Sequence, residues 1–66
     1  MNRNDFFPEY PEVLTSEDVE KILQLSKPTL YKLLDNGDIK CIKVGHKYRI
    51  PKLYLLQYLY PDIQFN

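Results

Sequence analysis

Two apolar stripes of helical period stand almost end to end in this sequence: Val19, Ile22 and Leu23, then Leu30, Leu33 and Leu34. Each follows the i, i+3, i+4 spacing that lines one face of an α-helix. Thr15 is a good N-cap for the first, and Asp18 three residues on makes a weaker relative of the capping box. Leu14 and Val19 are spaced as a hydrophobic staple across that start. The pattern stops at Gln24-Leu25 and restarts at once. Ser26 caps a second helix, with Pro28 in its first turn, where a missing N–H costs little. Asp35-Asn36-Gly37 ends it, with Gly37 placed for a left-handed cap. Two short helices joined by a turn of about three residues are the frame of a helix-turn-helix.

A hairpin pattern follows. Ile42 and Val44 alternate with Lys43 before Gly45-His46-Lys47, and Tyr48 and Ile50 alternate with Arg49 after it. A three-residue loop pairs Val44 with Tyr48 and Ile42 with Ile50, placing all four on one face. A two-residue loop pairs Val44 with Lys47 and mixes the faces, so the longer loop is expected. Lys43 and Arg49 then oppose one another on the outer face, which is unfavourable unless something anionic lies over them. Pro51 suits the first position of a third helix that runs to about Tyr60, before Pro61 ends it. Leu55, Tyr58 and Leu59 form its stripe. Leu53, Leu56 and Tyr60 fall elsewhere around it and are candidates for a partner-binding surface.

Residues 1–13 show no helical or strand period and read as an N-terminal arm whose Phe6, Phe7 and Tyr10 can pack on the core. Residues 14–60 form the domain and residues 61–66 a C-terminal tail. The expected architecture is mostly α with a small β-hairpin: three helices plus a two-stranded wing. A chain of 66 residues has room for one small core. An active-site cleft with its supporting shell would consume core that so small a fold cannot spare, so an enzyme is not expected. A single cysteine, Cys41, excludes an internal disulfide and points to a reducing, cytoplasmic setting. Cys41 and His46 are one of each type without a third ligand. They read as a packed thiol and a surface imidazole, and no metal or cofactor is expected.

The net charge of zero conceals a segregation. Residues 1–25 carry two basic and six acidic side chains, residues 26–52 seven basic and two acidic, and residues 53–66 one acid. A basic contact face with an acidic back produces that distribution. On the second helix, Pro28 and Lys32 project opposite the leucine stripe, with Thr29 and Tyr31 on the flanks. Ser26, Lys27 and Thr29 stand at the helix start, where an anion is favoured. A second helix that places its first turns in a major groove would use these residues. Lys40, Lys43, Lys47 and Arg49, with His46 near the tip, add a basic ribbon suited to phosphate or minor-groove contact. The expected DNA-binding residues are therefore Ser26, Lys27, Pro28, Thr29, Tyr31, Lys32, Lys43, His46, Lys47 and Arg49.

Leu14 to Val19, Leu25 to Leu34, Gly37-Asp38-Ile39 and Lys43 to Lys52, in that order, resemble the excisionase-type DNA-binding domain, a relative of the winged helices of MerR-type regulators. The resemblance covers roughly residues 12–60. It implies a recognition helix from Ser26 to Asn36, a wing from Ile39 to Ile50, and a role in transcription control or in site-specific recombination. Gln24 stands where that family often carries Gly, and the tip Gly45-His46-Lys47 where it is often arginine-rich. Leu53 and Tyr54 replace the polar residues that usually open the third helix. The expected function is sequence-specific duplex DNA binding, as an excisionase-like directionality factor assisting a site-specific recombinase, from a bacterium, phage or mobile element. Neighbouring copies on DNA are a further expected partner. The alternatives are a small transcriptional regulator of the same fold and a protein-interaction module that no longer binds DNA.

Overall fold

The computed structural model describes residues 2–65. A short 3-10 turn at Arg3–Asp5 is followed by β1 (Val13–Thr15), α1 (Ser16–Leu23), α2 (Lys27–Asp35), β2 (Ile42–Val44), β3 (Lys47–Pro51) and α3 (Lys52–Leu59). The strands form one antiparallel sheet in the order β1-β3-β2. This is a small winged helix-turn-helix: three helices and a hairpin, with a third strand added from the N-terminal side.

The helix boundaries follow from local chemistry. Thr15 Oγ1 accepts from the Asp18 amide, and the Thr15 amide donates back to Asp18 Oδ2, both at 3.1 Å. That is a complete capping box, satisfying two backbone donors that the helix start would otherwise strand. Gln24 stops α1 in the left-handed region, φ 57° and ψ 46°. Non-glycine residues pay roughly 1–2 kcal/mol there. In return, the Gln24 and Leu25 amides both reach the Glu20 carbonyl. α2 ends at Gly37, φ 81°, where the Asp38 and Gly37 amides bond the Leu33 and Leu34 carbonyls. Those two bonds make a Schellman stop.

The core is Leu14, Val19, Leu30, Leu34, Ile39, Ile50 and Leu55, with Ile22, Leu23, Leu33 and Leu59 packed at its edge. Leu14 does more than staple α1. It is buried and pairs with Ile50 in the sheet, as Val13 pairs with Pro51 and Thr15 with Arg49.

The hairpin register differs from the expected one. Val44 pairs with Lys47, Lys43 with Tyr48 and Ile42 with Arg49, so Gly45-His46 is a two-residue loop. Gly45 has φ +63° and His46 is not in the positive-φ region, as in hairpin turns that need glycine at the first central position only. Ile42 and Val44 are consequently exposed on the outer sheet face, beside Arg49 and Lys47. Lys43 and Arg49 are not opposed. Their separation removes the like-charge pairing that the longer loop would have produced.

The rotation of α3 also differs. Its inward residues are Lys52, Leu55, Leu56 and Leu59, whereas Tyr58 faces solvent. The cause lies at the first residue. The Lys52 amide donates to the Glu12 carbonyl at 2.8 Å. Its Nζ donates to the carbonyls of Phe7 (2.9 Å) and Tyr10 (3.0 Å), leaving Lys52 only 3% exposed. Phe7 holds φ 49° under this clamp, its carbonyl also accepting from the Tyr10 amide. Leu56 is therefore buried and cannot present itself to a partner. Tyr60 stacks obliquely on Phe6 and Phe65, and Leu53 is half-buried. Rings of the arm and tail thus pack against Tyr60, which still keeps 39% of its surface exposed.

Candidate nucleic-acid interface

At the start of α2, Ser26, Lys27, Pro28, Thr29 and Lys32 are all exposed, and Tyr31 is half-buried. Ser26 occupies the N-cap with extended backbone, but its hydroxyl makes no cap bond. Instead the Ser26 and Thr29 hydroxyls share a 3.0 Å hydrogen bond. The first amides of α2 therefore have no side-chain acceptor at the N-cap, and the positive end of the helix dipole stays open to solvent.

Tyr31 leads from the helix to the wing. Its ring meets that of Tyr48 edge-on, with centroids 5.3 Å apart and planes at 62°, a favoured arrangement for aromatic quadrupoles. Lys27 Nζ lies 6.0 Å from the Tyr31 ring centre, and Lys43 Nζ lies 5.1 Å from that of Tyr48. Both are within cation–π reach. The Tyr48 hydroxyl donates to Asp35 Oδ1 near the end of α2. This bond to the carboxylate, more than desolvation or the Asp35 charge, pushes the Tyr48 phenol from its usual 10.0 up to about 12. Cys41 is half-buried, and burial first, then the Asp35 charge, holds its thiol above the usual value despite Lys43 nearby.

The hairpin register divides the basic ribbon. Lys43 shares the face of Tyr48, toward α2, while Lys47 and Arg49 share the opposite face with Val44 and Ile42. His46 stands at the tip. Arg49 is half-buried and spends one guanidinium N–H on the Tyr48 carbonyl, at 3.2 Å. One continuous patch thus runs Lys27, Tyr31, Tyr48, Lys43, with Thr29 and Lys32 beside it on the exposed side of α2. Tyr48 and Asp35 were not expected as site residues. The signal that could have found them was Gly45 followed by His46, since a glycine-first two-residue turn moves Tyr48 across from Lys43.

The sequence profile of a family described as a helix-turn-helix domain matches residues 13–59. Those limits run from the first residue of β1 to the last of α3. The chain belongs to this helix-turn-helix family. It is also similar to a provisionally named DNA-binding protein of Mycobacterium tuberculosis, from strains CDC 1551 and H37Rv, at 33% identity over 39 residues. That alignment covers 59% of this chain and 50% of each relative, so the helix-turn-helix chain matches about half the length of those proteins. No solved structure matches it.

Proposed function

We propose that this helix-turn-helix domain binds duplex DNA, with the first turns of α2 in a major groove and the wing against the flanking backbone. The observation that carries the reading is the patch from Lys27 to Lys43, which joins the open start of α2 to the wing through the paired rings of Tyr31 and Tyr48. Ser26, Lys27, Pro28, Thr29, Tyr31 and Lys32 form the helix side of the interface, and Lys43 the near side of the wing. Lys47, Arg49 and His46 lie on the far face and tip. A ribbon with cations on both faces suits an edge-on approach, with a phosphate strand on either side.

The finer role we infer is that of an excisionase-like accessory factor working beside a site-specific recombinase. The ordered series of motifs supports it. So does size, because a module of this kind buries only about 600–1,000 Å² on DNA and gains from a bound neighbour. Duplex binding measured across a salt series tests the reading. With roughly four to six phosphate contacts, log K falls against log salt with a slope of about −4 to −5. Lys32→Ala and Thr29→Ala shift sequence preference, whereas Lys47→Ala weakens all duplexes alike. A flat salt response, or no duplex binding at low salt, rules the reading out.

A further inference from the structure

The wing is poorly anchored along most of its length. Ile42 and Val44 are 49% and 61% exposed, and Ile50 at its base is the hairpin residue that is fully buried. β1 pins the base of β3 at Arg49, Ile50 and Pro51. Beyond that pairing the hairpin is a two-stranded ribbon, at best marginally stable by itself, so the direction of its outer part depends on further contacts with the body. Tyr48 lies between the buried base and the tip, and it touches α2 twice. Its ring meets the edge of Tyr31 and its hydroxyl reaches Asp35, one helical turn further along the same helix. Because Lys27 and Lys43 each sit over one ring of this pair, the ring contact also sets the spacing between a helix cation and a wing cation.

We propose that Tyr48 is a positioning residue for duplex binding: bonded through its hydroxyl to Asp35 and through its ring to Tyr31, it latches the wing to α2 so that both meet the duplex in one fixed relation. This rests on the DNA-binding reading above. A latched wing has its ordering cost met during folding, whereas a loose wing meets it again at each encounter with DNA. Tyr48 need not touch DNA for this effect.

The test uses Tyr48→Phe, which keeps the ring and its contacts with Tyr31 and Lys43 but removes the donor. Asp35→Ala removes the acceptor, and Asp35→Asn keeps an acceptor oxygen. Residual dipolar couplings of the wing amides in the free domain report the wing's direction relative to α2. Titration with a short duplex reports affinity, and circular dichroism confirms that each variant is folded. Tyr48→Phe and Asp35→Ala are each expected to scatter the wing couplings and weaken duplex binding three- to tenfold. Their double variant is expected to be no weaker than either alone, and Asp35→Asn to bind as well as the unmodified domain. Unchanged couplings in Tyr48→Phe overturn the latch, whatever happens to binding. Loosened couplings with unchanged affinity overturn its role at the duplex, as do losses that add in the double variant. Failure of the unmodified domain to bind any duplex overturns the DNA reading, and the couplings still decide whether the latch exists.

Discussion

The hairpin register makes a sharp prediction, because the two isoleucines that bracket it have opposite fates. Ile50 is fully buried, paired with Leu14 and packed in the core, whereas Ile42 is half-exposed and paired with Arg49. Trimming one methyl group separates them without dismantling so small a domain. Ile50→Val loses buried apolar contact and leaves a small void, at about 0.5–1.5 kcal/mol. In a domain of this size each kcal/mol moves the melting temperature by roughly 4–8 °C. Ile42→Val removes a methyl that is already largely in water, and the change belongs with ordinary surface substitutions, within about 0.5 kcal/mol. Thermal unfolding followed by circular dichroism, with urea titration at fixed temperature, reads both. The expected outcome is a fall of several degrees for Ile50→Val and almost none for Ile42→Val. Equal losses would mean that both side chains face the core, as a three-residue loop requires, and would refute the register.

Three further outcomes follow from side chains that hold the fold together. Lys52→Met removes two charge-assisted bonds to the Phe7 and Tyr10 carbonyls. It should destabilise the domain by about 1–3 kcal/mol, and the Tyr10 amide should exchange with solvent faster than the amides of α1. Gln24→Gly relieves a left-handed non-glycine residue; after the entropy that glycine adds to the unfolded chain, a gain of up to about 1 kcal/mol is expected in urea unfolding. The Tyr48 phenol is raised in the fold, from 10.0 to about 12. Its bond to Asp35 therefore contributes fully below pH 10 and is lost as pH rises through about 12. Alkaline titration of the Tyr48 ring by NMR should show that late ionisation in the native domain and an earlier one in Asp35→Ala.

Much of the fold is legible in the sequence wherever the determinants are local. The capping box at Thr15 and Asp18, the stop at Gly37 and the leucine stripe of α2 each lie within one or two helical turns. Their residues meet by helical geometry before any tertiary contact forms. The exposed polar start of α2 is legible for the same reason, because a stripe that faces the core fixes which residues cannot. The strand at Val13–Thr15 was hidden because three residues are too few for a period, and its identity depends on pairing with β3. Arm residues Phe7 and Tyr10 likewise gain definite places only once Lys52 reaches back to them.

The start of α1, the stop of α2 and the inward face of α2 were thus determined by sequence alone, because capping and helical periodicity act over a few residues. The wing's register, the division of its cations between two faces, and the burial of Leu56 were decided by the tertiary structure. Alternation in Ile42-Lys43-Val44 and Tyr48-Arg49-Ile50 is compatible with either loop length, and a shift of one residue exchanges the faces at little local cost. What separates the alternatives lies across the fold: Tyr48 finds Asp35 and Tyr31 on α2, and Ile50 finds Leu14 on β1. In the same way α3 is turned by the bonds of Lys52 to carbonyls 45 and 42 residues away, a distance that no periodicity within the helix can report.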